Sequence, residues 1–461
     1  MLYDAIELDS RSSVPLYRQL YDGIRTRIGN GSTQVGEKMP SIRRLCEELG
    51  VSRTTVEQAY QLLCVEGYLV SRPQSGYYVE AAVRNDPPRP DVPQEESRNT
   101  AVRYDFGSRY VDIRRADIEL WRKYVRAVLS REDIVSSYGH FQGEPALRRE
   151  LTRYALQRGV SASPERIIVG AGVQPLLSLL CGMLEEKRQR VAMETPFFAQ
   201  AERVFRDFRL DITAPAQDGD GVIPQSLCDS GAEILYLNPS HTESRGRPMP
   251  VNRRAALLEW ATRTDSLIIE DDEGGALRFR TRPVPAMQGM DKAGRVVYLG
   301  SFSKLLMPSV RISYMVLPEE AAAFYRQRGA YYNQTSSKVE QLALADYMRD
   351  GHIERRRRRL RKVYADKSEQ LVALLQEAFG EEAQIRLIET SLCVDLTLRC
   401  GMSTEELVEK AAANGLRIRP VPAAGEAEPE KEKARIRLRF AGIAPEDIRG
   451  GVALLREVSR L

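Results

Sequence analysis

Residues Gly300–Tyr314 read GSFSKLLMPSVRISY. Just before them, VVYL (296–299) is a short apolar run bounded by turn signals, as expected of a strand buried on both faces. The stretch therefore places Lys304, Ser301, Ser303 and Arg311 where such a strand ends. A lysine held out of water can lose its proton and form a Schiff base with an aldehyde, while hydroxyls and a guanidinium bind phosphate. An aldehyde and a phosphate on one small molecule point to pyridoxal 5'-phosphate.

Upstream, RIIV (166–169), VAM (191–193), ILYL (234–237) and LIIE (267–270) have the same character and are separated by helical stretches. With VVYL they read as five parallel strands of an α/β sheet. Ligands of such sheets lie beyond the carboxyl ends of the strands, so the endings GAGVQ, ETPFF, NPSH, DDE and GSFSK should converge on one site. A pyridine ring acts as an electron sink only while its nitrogen is protonated, and Asp271 ends its strand where it can serve as the carboxylate partner. GAGVQ precedes a helix near Pro175 and offers backbone N–H groups to the phosphate; without a third glycine it makes a weak dinucleotide fingerprint. Phe198 can stack on the ring.

A smaller module precedes this one. Leu16, Leu20, Ile24 and Ile28 recur at helical spacing. Ser41 caps IRRLCEEL, Gly50 ends it, and Ser52 caps RTTVEQAYQLLCVEG, which ends at Gly67. Two helices joined by LGVS form a helix-turn-helix, and Tyr68–Val70 and Tyr77–Val79 around RPQSG add a wing. Ser52, Arg53, Thr54 and Thr55 at the start of the second helix would face base edges and phosphates, with Arg43, Arg44 and Arg72 gripping the backbone. VPLYRQLYDGI, GEKMPSIRRL, LGVSRTTVEQAY and EGYLVSRPQSGYYV resemble the GntR-type winged helix along its length.

The larger part carries YGHFQGEPALRREL, GAGVQPLLSLL, ETPFFAQ, LNPSH, IIEDDEGGALRF and GSFSKLLMPSVRISY in that order, and so resembles the fold-type I aminotransferases. Joined to the GntR-type head, the chain resembles the MocR (GabR-like) subfamily of transcriptional regulators. The resemblance implies Lys304 as the Schiff-base lysine, Asp271 as the pyridinium partner, and Ser301, Ser303, Arg311, Gly172, Val173 and Gln174 on the phosphate. It further implies Phe198 stacked on the ring, His241 near the ring hydroxyl, and Tyr138 reaching the phosphate of a neighbouring subunit. RIRLRFAG resembles the segment whose arginine binds a substrate carboxylate. Arg437 is the choice, with Arg435 and Arg439 two residues away on the same strand face.

In one place the chain departs from the subfamily, which usually has a tyrosine two residues after the ring aspartate; Glu273 stands there. Pointing inward and ionised, it would repel the ring's phenolate oxygen and make free-amine transaminase chemistry harder to reach. The alternative is that Gly274 and Gly275 allow it to turn outward.

Outward from these motifs, Arg84–Val102 reads RNDPPRPDVPQEESRNTAV, a proline-rich polar stretch that cannot bury enough apolar surface to order itself. Expected boundaries are a winged helix over 10–82, a linker over 83–103 and an aminotransferase-like part over 104–461, its large subdomain about 150–335 and its small one about 340–461. The fold class expected is multi-domain: an α+β winged helix-turn-helix plus a C-terminal α/β fold of the pyridoxal-phosphate-dependent transferase type. The whole chain has 461 residues, too many for a single small module, with 68 Lys and Arg against 64 Asp and Glu. A net charge of +4 excludes bulk electrostatic attraction to nucleic acid, so DNA contacts must come from placed residues. Three scattered histidines and six cysteines without a CxxC pair argue against zinc, and no stretch suits a signal peptide or membrane span. The run Arg355–Arg359 reads as a charged helix face, and EPEKEK (428–433) as an exposed turn before the last strand. The expectation is a cytoplasmic homodimer that binds operator DNA and senses an amine, an amino acid or pyridoxal phosphate itself. The competing reading is an aminotransferase with an accessory DNA-binding head.

Overall fold

The computed structural model describes Ile6, Leu8, Asp9, Ser12 and residues 14–80, 102–184, 188–195, 198–240, 248–280, 284–421 and 433–460. It divides into two compact units, Met1–Arg98 and Asn99–Leu461. Most of the proline-rich stretch and most of EPEKEK lie outside the described residues.

In the first unit, helices α1 (Leu16–Gly29), α2 (Ile42–Leu49) and α3 (Arg53–Val65) precede a hairpin of β1 (Leu69–Arg72) and β2 (Gly76–Val79). Local chemistry sets these boundaries. The Ser41 side chain accepts from the Arg44 N–H and Ser52 from the Thr55 N–H, while Gly50 closes α2 in the left-handed conformation at φ 64°. Leu20, Ile24, Ile28, Leu45, Val56, Tyr60, Leu63, Leu69 and Val79 form one buried core, so all three helices and the wing share it.

In the second unit a seven-stranded sheet runs in the order β3 (Ile167–Gly170), β9 (Ser313–Val316), β8 (Val296–Ser301), β7 (Leu267–Asp271), β6 (Ile234–Leu237), β4 (Arg190–Met193), β5 (Asp211–Thr213). Alternate residues of its strands go to opposite faces: Ile269, Val297 and Leu299 join one apolar cluster, Ile268 and Val296 another. Strands β4 to β8 pair in parallel. All five runs point the same way, as expected, but β3 pairs directly with none of the other four. It pairs with β9, which is antiparallel to both β3 and β8. That strand begins within RISY at the end of the Lys304 stretch, where the assignment of Arg311 to the phosphate hides the return of the chain into the sheet. A second, antiparallel sheet of β10 (Ala383–Ile388), β11 (Cys393–Arg399), β13 (Lys433–Arg439) and β12 (Arg419–Pro420) lies nearer the C-terminus.

The arginine run also reads differently in three dimensions. It lies in the helix His352–Phe379, but Arg356 is buried rather than on a solvated face. Its guanidinium donates to the carbonyls of Leu305 and Leu306 at 2.7 Å and pairs with Asp117 at 2.7 Å. The helix is thereby tied to the segment directly after Lys304.

Candidate functional site

The ends of β3, β9 and β8 meet the start of the helix Val173–Cys181. Gly172 begins that helix at φ 106° and ψ 172°, a conformation essentially restricted to glycine. A Cβ there would collide with Nη2 of Arg311. Arg311 itself is left-handed at φ 51° and donates to the Ala171 carbonyl at 3.3 Å. Ser313 is paired across the sheet with both Gly170 and Ser301, and its hydroxyl donates to Ser301 Oγ at 3.0 Å. Ser301 Oγ in turn lies 3.3 Å from Ser303 Oγ. A helix start that includes Val173 and Gln174, a guanidinium and linked hydroxyls thus form a cradle suited to a phosphate dianion.

Lys304 stands beside this cradle. Its Nζ lies 3.3 Å from Glu273 Oε1 and donates to the Thr390 carbonyl at 3.2 Å. Glu273 is therefore turned inward, toward the lysine, and the outward alternative does not hold. Asp271 is buried at the end of β7, accepting from the Tyr236 hydroxyl at 2.5 Å and the Glu273 N–H at 2.9 Å. Burial first, then the Glu273 carboxylate, push its carboxyl up to about 7. Asp272 points to the opposite face and pairs with Arg158 and the Tyr298 hydroxyl. Burial works to raise it as well, yet Arg158 and Tyr298 outweigh burial and hold it below the usual carboxylate range. Two adjacent carboxylates thus have opposite shifts because one faces a guanidinium and the other does not. The Phe198 ring lies parallel to that of Tyr236, 6.5 Å between centroids.

An open cavity of about 650 Å³ lies on the other side of Lys304, lined by Glu273, Phe198, Arg109, Arg437 and Arg439 among others. Arg437 is buried and makes a bidentate pair with Asp395, directly across from it on β11, at 2.7 and 3.0 Å. The choice of Arg437 thus falls on a guanidinium that already holds a carboxylate. Arg439, two residues on, also lines the cavity and donates to the Gly107 carbonyl at 3.0 Å. Arg435 is exposed and is not among the lining residues. Tyr138 is fully exposed in the single chain, and His241 lies outside the described residues. Tyr236, Arg158, Asp272, Thr390 and Arg109 were not singled out from sequence. A tyrosine inside the apolar run ILYL was the one available signal, since a buried hydroxyl requires a partner.

In the winged helix, Arg43, Arg44 and Arg53 are exposed and pair with Glu47, Glu48 and Glu57 of their own helices at 3.1, 2.7 and 2.7 Å. Ser52 Oγ and Thr55 Oγ1 are 2.8 Å apart at the start of α3, where Thr54 is exposed. On the wing, Arg72 lies over the Tyr78 ring at 4.5 Å and Lys38 reaches the same ring at 5.8 Å. Lys38 is a further basic group that sequence reading passed over.

Residues 16–79 match the family model of bacterial regulatory proteins, gntR family. The whole chain is similar to an uncharacterized HTH-type transcriptional regulator, YdeL, of Bacillus subtilis: 35% identical, covering 97% of this chain and 98% of that one. It is 31% identical to a probable rhizopine catabolism regulatory protein, MocR, of Rhizobium meliloti, over 97% of this chain and 94% of that one. The chain belongs to the MocR subfamily of GntR-type regulators. The MocR-type chain also matches a multiple substrate aminotransferase from Thermococcus profundus, with a TM-score of 0.66 and 25% identity over 78% of this chain and 91% of that one. An archaeal alanine:glyoxylate aminotransferase matches at TM-score 0.67 and 23% identity, over 77% of this chain and 90% of that one, which shows the fold. The MocR-type chain is therefore a transcriptional regulator with a DNA-binding winged helix and an aminotransferase-like body. No described helix is long and apolar enough to cross a membrane.

Proposed function

We propose that this regulator carries pyridoxal phosphate at Lys304 and uses it to read an amine, an amino acid or the cofactor itself. The observation that carries the reading is the position of Lys304 between a phosphate-type cradle and a buried carboxylate, Asp271. When bound, pyridoxal phosphate supplies an aldehyde that condenses with amines and a ring that draws off electrons. Ser301, Ser303, Arg311, Gly172, Val173 and Gln174 hold the phosphate. Asp271, ionised, would keep a proton on the ring nitrogen, Phe198 would cover a ring face, and His241, outside the described residues, would serve the ring hydroxyl. Arg437 is in place for an effector carboxylate if that group displaces Asp395.

The protein acts as a cytoplasmic homodimer, with Tyr138 completing the partner's phosphate site and two winged helices on paired half-sites. The functional boundaries are 10–82 for the winged helix, 83–103 for the tether and 104–461 for the sensing body. Ser52, Arg53, Thr54 and Thr55 read DNA, and Arg43, Arg44 and Arg72 hold its backbone. Amine occupancy changes what Lys304 and the arginines of the cavity hold, and so biases the body between states that present the two heads differently.

The contact of Glu273 with Lys304 favours sensing over turnover, because a carboxylate at this place opposes the free-amine chemistry of a transaminase. The deciding experiment is an absorbance titration with pyridoxal phosphate on the full chain and on Lys304→Ala, followed by an amine panel with 2-oxoglutarate and by operator binding. A visible band that needs Lys304, spectral change with amines without sustained product, and amine-dependent operator binding are expected. Sustained transamination would favour the enzyme reading. Operator binding indifferent both to Lys304→Ala and to every amine would overturn the sensor.

A further inference from the structure

The cavity beside Lys304 holds more positive charge than its own residues balance. Lys304 faces Glu273, and Arg437 faces Asp395, which it shares with Arg386 at 3.1 Å. Among the described residues, Arg439 and Arg109 have no carboxylate partner. The acidic groups nearest Arg109 in sequence are engaged elsewhere, Asp105 with Arg417 and Asp112 with Lys367. Of the four lining cations, Lys304 is offset by Glu273 and Arg437 by Asp395, which lies outside the lining, and the guanidiniums of Arg109 and Arg439 remain. Arg439 is half-buried at the end of β13, where its Nη1 donates to the Gly107 carbonyl at 3.0 Å.

We infer that Arg109 and Arg439 form an anion subsite at the mouth of the Lys304 cavity, which selects an amine carrying two acidic groups, the class of the acidic amino acids. The inference rests on the reading of Lys304 as the amine-exchange point and adds the ligand class to it. One acidic group of such a ligand takes the place of Asp395 on Arg437, and the other meets the unbalanced pair. Burial, followed by the charges of Arg109, Arg437 and Arg419, already bears against the charged form of Arg439. An anion placed there relieves that repulsion, and its charge-assisted hydrogen bonds are about twice as strong as neutral ones. The neutral amide of the same shape gains neither. Arg109 comes from the segment just before the helix Arg115–Leu129 and Arg439 from β13, so the two converge only in the folded body.

The test has two arms. Calorimetry with glutarate, a diacid without an amine, on the cofactor-free full chain probes the subsite independently of pyridoxal phosphate. Binding is expected, weakened about tenfold by Arg109→Ala and by Arg439→Gln and largely restored by Arg439→Lys. On the pyridoxal-phosphate-loaded protein, L-glutamate is expected to perturb the spectrum at concentrations about tenfold lower than L-glutamine, and both variants should shrink that gap below about threefold while the cofactor still loads. Glutarate that fails to bind, or binds the variants equally well, overturns the subsite, as does equal response to glutamate and glutamine. Absence of the visible band with glutarate binding intact overturns the cofactor reading instead and leaves the anion subsite standing. Arg109 is exposed, so its variant separates loss of charge from loss of folding.

Discussion

Replacing Asp271 by Asn should change the pH dependence of stability of the cofactor-free protein in a defined direction. Asp271 is fully buried and its carboxyl is raised from 3.8 to about 7, chiefly by burial and then by Glu273. A carboxyl raised in the folded state binds its proton more tightly there than in the unfolded chain. The stability it allows is fully present below pH about 4 and is lost as pH rises through about 7. A raised carboxyl of this size is worth about 4 kcal/mol in all, of which about 3 kcal/mol falls between pH 5 and pH 8. With an unfolding entropy of about 2.1 cal/mol/K per residue, a body the size of Asn99–Leu461 loses about 4 °C in Tm over that interval from this one group. Asp271→Asn has no charge to bury. The raised Glu270, about 7, and the lowered Asp272 remain in both proteins and cancel in the comparison. The assay is thermal melting of both cofactor-free proteins at several pH values from 5 to 8. The Tm of Asp271→Asn minus that of the parent should grow by about 4 °C across the range. Pyridoxal phosphate should stabilise the parent more at pH 8 than at pH 6, since a pyridinium then balances the ionised carboxylate. A Tm difference that stays flat from pH 5 to 8 would refute the account of Asp271 as a group destabilised by burial and free of a cationic partner.

Three further outcomes are expected. Gly172→Ala places a methyl against Arg311 in a glycine-only conformation, and a strain of about 1–3 kcal/mol should weaken pyridoxal phosphate binding about tenfold to a hundredfold, read by absorbance titration. Arg356→Met leaves the Leu305 and Leu306 carbonyls without their donor; a loss of about 3 kcal/mol in chemical denaturation is expected, together with slower capture of the cofactor by Lys304. Glu273→Gln removes the counter-charge of the Lys304 ammonium, and because the pair is partly exposed the expected gain in cofactor capture at neutral pH is at most about fivefold, by stopped-flow absorbance.

The winged helix was legible almost to the residue because its signals are local. Ser41, Gly50 and Ser52 sit where the caps form, and the helical spacing of Leu20, Ile24 and Ile28 marks the buried face. The strand endings were legible for a similar reason: each apolar run is short and stops at a polar residue. What escaped depends on pairing at a distance. Nothing within RISY says that β9 returns antiparallel between β8 and β3, and the short edge strand β5 has no apolar run to mark it. The partner of Arg437 is set by the register of β13 on β11, which puts it opposite Asp395 across forty-odd intervening residues. A row of five arginines looks solvated until one of them is found beneath the Lys304 segment, donating to the carbonyls of Leu305 and Leu306. The opposite behaviour of Asp271 and Asp272 requires knowing that Arg158 approaches from only one face of the sheet.

The arginines of α2 and α3 each carry a glutamate one helical turn ahead, as Arg43–Glu47, Arg44–Glu48 and Arg53–Glu57. Were DNA to take those guanidiniums, as proposed above, the displaced anions would be side chains of the protein and not ions returned to the solvent. Binding strength ordinarily falls with salt in proportion to the phosphates neutralised, because each liberates about one condensed cation from the duplex. Here three tethered carboxylates stay behind at the interface and retain cations of their own, so the number of ions liberated is smaller than the number of arginine contacts. On that reading, operator binding would respond to ionic strength less steeply than a simple count of the basic residues implies.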